Sequence, residues 1–245
     1  MNHTLFQPYT PEEVKRALFQ MHPSKSLGLD DMSPFFSKKS WHIVGKDVTI
    51  AVLSILQSGH FLHKMNYTHI VLLPKRKKKK EPRSVKDYRP ISLGNVVSWI
   101  VSKISANRLK LIFPNVISDS QSAFVPNRLI TDNAIVAFEV LHRMRNKRTR
   151  KKGQMAIKLD ISNAYDRVER AFLQQIMLKL GIDGRWVRLA METVHIASYS
   201  VLINGEPKGY ITPSLGIKKG DPLSPYLFLL CAEGLSSLIR KATES

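Results

Sequence analysis

Residues 154–170, QMAIKLDISNAYDRVER, constrain the fold more than any other stretch of this chain. An apolar run stops at Asp160, crosses small and polar residues, and reaches Tyr165 five positions later. Beyond it Phe172, Leu173, Ile176, Met177 and Leu180 recur at helical spacing and end at Gly181. The spacing predicts a buried strand followed by a crossover helix, so the chain must build a sheet for that strand to enter. A single carboxylate at the end of such a strand holds two divalent metals poorly, and metal chemistry on phosphates needs a second acidic ligand close by.

The remaining segments fit an α+β arrangement. Thr10, Pro11 and Glu13 read as a capping box with proline at the first helical position, ahead of an inward face of Val14, Ala17, Leu18 and Met21. Val48 to Leu56, closed by Gly59, predicts a buried helix, and Thr68 to Pro74 a β-branched strand. A helix over Asn95 to Phe113 would turn Val96, Ile100, Ile104 and Leu111 inward, and another runs from Thr131 to Arg145. A helix near Trp186 precedes SYSVLINGEPKGYITP, where Asn204-Gly205 is a strong hairpin signal. GIKKGDPLSP then reads as a tight loop whose prolines open the last helix. The predicted whole is an antiparallel sheet with helices packed on one face.

Charge narrows the partners. The chain has 38 Lys and Arg against 19 Asp and Glu, a formal charge of +19 over 245 residues. Such an excess calls for a polyanion, and nucleic acid is the first candidate. Lys75–Lys80 and Arg143–Lys152 concentrate it in two basic runs, read as exposed connectors or an import signal, with Lys75 anchored at the strand end. The lone Cys231 excludes an internal disulfide and a cysteine zinc site, and the histidines lack finger-like spacing. MNHTLFQPYT carries no visible signal peptide, and the apolar stretch Tyr226 to Ala232 is too short to span a bilayer. The expectation is an intracellular protein of nucleus and cytoplasm, neither secreted nor bound to membrane.

Four ordered motifs make the reading specific: DYRPISLGNV from Asp87, SDSQSAFVPNRLITDNAI from Ser118, MAIKLDISNAYDRVE from Met155 and GIKKGDPLSPYLF from Gly216. Together they strongly resemble the reverse transcriptase of plant non-LTR (LINE-type) retrotransposons. The resemblance covers nearly the whole chain and implies a right-hand polymerase fold. It divides the chain into a helical N-terminal extension of the fingers at 1–60, fingers at 61–150, and a palm at 151–245 that is incomplete. The implied activity is RNA-directed DNA synthesis, with Mg²⁺ as cofactor and RNA template, DNA primer and dNTPs as partners.

The resemblance also assigns residues. Asp160 is the implied catalytic metal ligand, with the backbone carbonyl of Ile161 facing a metal. Tyr165 would sit beneath the incoming sugar and select deoxynucleotides. Lys75 and Arg89 would grip the triphosphate as a point charge and a planar fork. Gly216, Lys219, Gly220 and Asp221 would form the loop where backbone approaches template and nucleotide. By local sequence alone each fits a plainer role: a helix cap, a core tyrosine, surface cations, a simple turn.

Some positions depart from the family. Lys219 stands for a usual glutamine, SLGLDD at 26–31 for APGPDG, and Asn127 for a glycine. The family's second acidic pair, in an aromatic-Ala-Asp-Asp hairpin, would follow LSSLIRKATES, and an endonuclease domain would lie upstream. The sequence expectation is therefore a polymerase fragment that is inactive alone. The alternative is a basic RNA- or DNA-binding remnant of that polymerase without catalysis.

Overall fold

The computed structural model describes residues 2–25, 28–30, 32–75, 84–146 and 155–244. The lysines of the first basic run after Lys75 and the end of the second, from residue 147, lie outside them. The N-terminal region holds α1 (Asn2–Leu5), α2 (Pro11–Phe19), α3 (Pro34–Lys39), α4 (Trp41–Ser58) and α5 (His63–Asn66). Thr10 starts α2 as its sequence dictates. Its hydroxyl accepts from the Glu13 N–H while the Glu13 carboxylate accepts from the Thr10 N–H, each at 3.3 Å. Gly59 ends α4 with φ +72°, in the left-handed region that favours glycine.

Strands β1 (Tyr67–Pro74) and β2 (Tyr88–Leu93) precede the long helix α6 (Val96–Val116) and then α7 (Ile130–Asn146). After α8 (Arg170–Lys179) and α9 (Gly184–His195) come β3 (Ser198–Ile203), β4 (Glu206–Ile211) and α10 (Ser224–Glu244). Asn204 and Gly205 close the β3–β4 hairpin, both with positive φ as a primed turn requires.

Helix α6 is the axis of the molecule. Its buried residues spread round most of the helix rather than forming one narrow stripe, leaving a line through Lys103, Asn107, Lys110 and Leu111 that reaches the surface. Its first half, Val96 to Ile104, packs with Val14, Leu18, Val52 and Leu56 of α2 and α4. Its second half, from Ala106, packs with Leu173 and Met177 of α8, Trp186 and Val187 of α9, and Leu227 and Leu230 of α10. Leu111, expected inward, is 65% exposed, because Leu109, Ile112 and Phe113 already fill the buried directions of that turn.

Arg108 locks the N-terminal segment to this axis. It is 4% exposed, and each of its five N–H donors has an acceptor: both carboxylate oxygens of Glu13 at 3.0 and 2.6 Å, and the carbonyls of Leu5, Gln7 and Pro8 at 3.0, 2.6 and 3.1 Å. Its guanidinium lies 3.7 Å from the centre of the Tyr9 ring.

The sheet differs from the sequence expectation in two respects. Its order is β2-β1-β3-β4, and the β1–β3 pair is parallel, so the sheet is mixed rather than antiparallel. A parallel neighbour needs a long crossover, and here everything from β2 to α9 supplies it. Nor is the sheet the platform for the helices. None of its residues belongs to either apolar core, and its fully buried side chains are the polar Thr68, Ser198 and Ser200. The strands put small hydroxyls where an apolar face would be needed to hold a layer of helices.

The expected strand ending at Asp160 is the largest correction. Residues 155–161 adopt no regular structure, and Met155, Ile157, Leu159 and Ile161 are 80, 70, 67 and 50% exposed. The alternation is that of a strand, but a strand exists only where a neighbour accepts its backbone hydrogen bonds, and among the described residues none lies alongside. Helix α7 forms as its periodicity predicts, yet none of its residues is buried.

Candidate functional site

The geometry brings two distant motifs together. The Gly216 N–H donates to the Val168 carbonyl at 2.8 Å and the Ile217 N–H to the Tyr165 carbonyl at 2.9 Å. The buried Arg170 returns a bond from Nε to the Gly216 carbonyl at 3.2 Å. Gly216 has φ +83°, and a Cβ there would meet the Tyr165 carbonyl oxygen at 3.0 Å and Asp166 at 3.1 Å. Both conditions require glycine. The loop at 216–222 and the turn at 164–167 thus form one backbone-linked unit.

Side chains reinforce it. Lys219, where the resembled family has glutamine, forms an ion pair with Asp166 at 2.5 Å. Tyr165, on the short 3-10 turn Ala164–Arg167, is half-buried against Phe228 of α10, ring centres 5.4 Å apart, and burial pushes its phenol up. Asp221 turns inward. One oxygen accepts from the Ser102 hydroxyl at 2.8 Å and the other from the Leu223 N–H at 2.8 Å.

A cleft of about 290 Å³ opens beside this unit, lined by Ile70, Ser92, Asp166, Tyr199, Gly216 and Lys219 among others. It is bounded by the sheet on one side and the loop on the other. Of the residues singled out in the sequence, Gly216 and Lys219 line it. Tyr199 does too, its phenol pushed up to about 12, mainly by burial and then by the nearby Asp221 carboxylate. Nothing in the sequence marked Tyr199, because an aromatic in a strand is unremarkable until a loop fifteen or more residues later folds over it. A larger cavity, about 610 Å³, lies among Phe6, Tyr9, His60, Trp186 and Arg188, away from every motif.

Lys75 and Arg89 stand together at the loop end of the β1–β2 hairpin. Arg89 pairs with Leu73, two residues before Lys75, so the register puts both cations on one face. Lys75 is exposed and its ammonium donates to the Lys86 carbonyl at 2.7 Å. Asp160 is exposed and makes no bond with a described residue, and Ile161 is 50% exposed beside it. A carboxylate with a neighbouring carbonyl is a hard-oxygen donor set of the kind Mg²⁺ takes. Among the described residues no three His, Cys, Asp or Glu side chains converge to hold a metal ion.

The departures noted in the sequence have local explanations. Within 26–31 the residues shared with the family's pattern are Gly28 and Asp30, and both are engaged. The Leu29 N–H donates to Asn95 Oδ1 at 3.0 Å, and Asp30 Oδ2 accepts the Val96 N–H at the start of α6 at 3.0 Å. A Cβ on Gly28 would come within 2.6 Å of the Asn95 side chain and the Gly94 carbonyl. Asn127 has φ +63°, a conformation in which glycine is at ease and asparagine is tolerated. Cys231 is half-buried, and burial pushes its thiol up to about 12. No helix among the described residues is long and apolar enough to cross a membrane.

Comparison with known proteins adds to this geometry. Residues 75–245 match the family described as reverse transcriptase (RNA-dependent DNA polymerase). The chain is 30% identical over 234 residues to the transposon TX1 149 kDa protein of Xenopus laevis, covering 96% of this chain and 17% of that protein. It is 27% identical over 239 residues to the Pol polyprotein of the type-2 retrotransposable element R2DM of Drosophila melanogaster, covering 96% of this chain and 21% of that one. A mitochondrial protein of Arabidopsis thaliana is 63% identical over 43 residues, 18% of this chain and 35% of that protein. The chain therefore spans about a fifth of the length of the first two relatives.

Proposed function

Because the chain belongs to the reverse transcriptase (RNA-dependent DNA polymerase) family and resembles the polymerases of non-LTR retrotransposons, we propose that it holds nucleotide and template-primer for RNA-templated DNA synthesis. The observation that carries this reading is the backbone linkage of the 216–222 loop to the turn bearing Tyr165, with a cleft beside it. Two motifs about fifty residues apart meet there, as a polymerase floor requires.

In this reading RNA template and DNA primer lie across the basic surface and a dNTP enters the cleft. Lys75 and Arg89 reach its phosphates from the β1–β2 hairpin, Tyr165 reads its sugar, and the glycines at 216 and 220 let backbone approach. Asp160 and the Ile161 carbonyl would hold Mg²⁺, which supplies charge stabilisation for the departing pyrophosphate. Residues 1–60, 61–150 and 151–245 serve as N-terminal extension, fingers and part of the palm, in a protein of nucleus and cytoplasm. Asp166 is paired with Lys219, and Asp221 with Ser102 and Leu223, so neither stands free to join Asp160. A polypeptide of residues 1–245 by itself should accordingly bind nucleic acid and not extend a primer.

The test uses that polypeptide and a chimera in which the segment following the matched region of the Xenopus relative is joined after Ser245. The chimera should incorporate deoxynucleotides on an RNA template with Mg²⁺, Asp160→Asn should abolish synthesis, and Tyr165→Ala should admit ribonucleotides. Synthesis that survives Asp160→Asn, or failure of the unextended chain to bind an RNA/DNA hybrid, would sink the reading.

A further inference from the structure

The loop that carries Lys219 is held from behind as well as in front. On the cleft side Lys219 pairs with Asp166. On the other side the Lys25 ammonium donates to the Gly220 carbonyl at 3.1 Å and lies 3.9 Å from the centre of the Trp99 ring. Lys25 belongs to the segment just before Gly28, which is itself fastened to the start of α6 through Asn95 and Asp30. The N-terminal segment and the 216–222 loop therefore clasp the same end of α6 and meet at the Lys25 ammonium and the Gly220 carbonyl.

The rest of the clasp is buried and polar. Lys218 is 5% exposed, and its ammonium donates to Asn66 Oδ1 at 3.3 Å. Asn66 in turn donates to the Thr193 carbonyl of α9 at 2.8 Å, and its Oδ1 also accepts from Ser98 of α6 at 3.4 Å. The Lys218 carbonyl accepts from Ser224 at 2.7 Å, where α10 begins. Lys218 thus anchors the base of the loop to the body. Gly220 has φ +81°, is exposed, and would meet nothing within 4 Å if it carried a Cβ. The base is fixed, Lys219 and Asp221 are tied to Asp166 and Ser102 on either side, and the Gly220 carbonyl between them is held by Lys25.

We propose that Lys25 is a positioning residue: its ammonium, delivered by the N-terminal segment, holds the Gly220 carbonyl and so sets the reach of Lys219 over the cleft. The role rests on the polymerase reading above, which makes the cleft a nucleotide and template site. The N-terminal segment is then a working part of that site rather than an appendage. Charge, not bulk, does the holding, since the stem of Lys25 could pack on Trp99 without its ammonium.

Groups from every element at the contact bear on Lys25: Asp221 and Lys218 of the loop and Lys103 of α6. Burial lowers Lys25 to about 8, with Lys218 and Lys103 pushing the same way and Asp221 opposing. Released to water Lys25 would regain its ordinary 10.5, so by proton balance the contact does not loosen as pH rises through 8.

The experiment compares the 245-residue chain with Lys25→Met and Lys25→Arg by amide exchange of peptides spanning 216–223, as protection factors at pH 7, and by binding of an RNA/DNA hybrid. Lys25→Met should lower loop protection at pH 7 by about fivefold and weaken hybrid binding by about threefold, the net scale of one partly solvated hydrogen bond. Lys25→Arg, which keeps the positive charge, should keep protection near the parent value. Parent-like protection in Lys25→Met, or equal loosening of Lys25→Arg and Lys25→Met, would overturn the proposal. If the parent chain binds no hybrid, the polymerase reading fails while the exchange data still decide the role of Lys25.

Discussion

Replacing Arg108 by methionine keeps most of the side-chain stem and removes five hydrogen bonds at once. Among the described residues the Glu13 carboxylate keeps only the Thr10 N–H, the carbonyls of Leu5, Gln7 and Pro8 lose the donor they share, and Tyr9 loses the cation over its face. Breaking a fully buried ion pair costs about 3–5 kcal/mol, because the surviving charge is stranded away from water. Glu13 keeps 23% of its side chain exposed, so water re-solvates it in part, and the lower end, about 3 kcal/mol, is expected. Urea unfolding of the parent, Arg108→Met, Glu13→Gln and the double variant gives the coupling directly. The single variants should sum to more than the double, by about 1–2 kcal/mol. A loss below about 1 kcal/mol for Arg108→Met would show that residues 2–13 are fastened by apolar contact, with Arg108 incidental.

Binding to RNA, DNA and hybrid should show little sequence preference, with log affinity falling against log salt at a slope of about −4 to −5 if about six phosphates are neutralised. A flat salt dependence would exclude the electrostatic mode. Stability should rise from pH 7 to 9. Burial lowers Lys25 and Lys218 to about 8 from an ordinary 10.5, so in that window the unfolded chain binds more protons than the folded one. Above about pH 10 the slope should reverse, because Cys231 and Tyr199, pushed up to about 12, keep protons that the unfolded chain has by then released. A urea midpoint that falls steadily from pH 7 to 9 would contradict the burial of the two lysines. Asn127→Gly should raise stability by roughly 0.5 kcal/mol by relieving the left-handed backbone, and a lower melting temperature would argue against that strain.

Features decided within a few residues were legible before the structure. Thr10 with Glu13, Gly59, and Asn204 with Gly205 each specify their own backbone, and each forms as expected. The alternation at 155–161 was legible only as a capacity, since pairing depends on what lies alongside. Lys25 and Lys218 could not be distinguished from other lysines. In a chain of +19 charge, lysine reads as surface, and burial is conferred by Asn66, Asp221 and Trp99 from elsewhere. That Tyr165 and Gly216 belong to one site was implied by the resemblance, whereas the means of their meeting, a left-handed glycine set tight against the Tyr165 carbonyl, came from the fold.

The parallel pairing of β1 with β3 sets a timetable for synthesis. β1 ends at Pro74 and β3 begins at Ser198, so 198 − 74 = 124 residues must be added before β1 meets its second neighbour. At about 5–20 residues per second that interval lasts roughly 6–25 s. Throughout it the β1–β2 hairpin presents an open edge, and an isolated hairpin is at best marginally stable. The nascent chain therefore passes many seconds with a strand edge awaiting a partner that the ribosome has not yet made. Chaperone dependence should be set by that delay, and slowing translation between residues 75 and 197 should lower soluble yield even though it changes no residue.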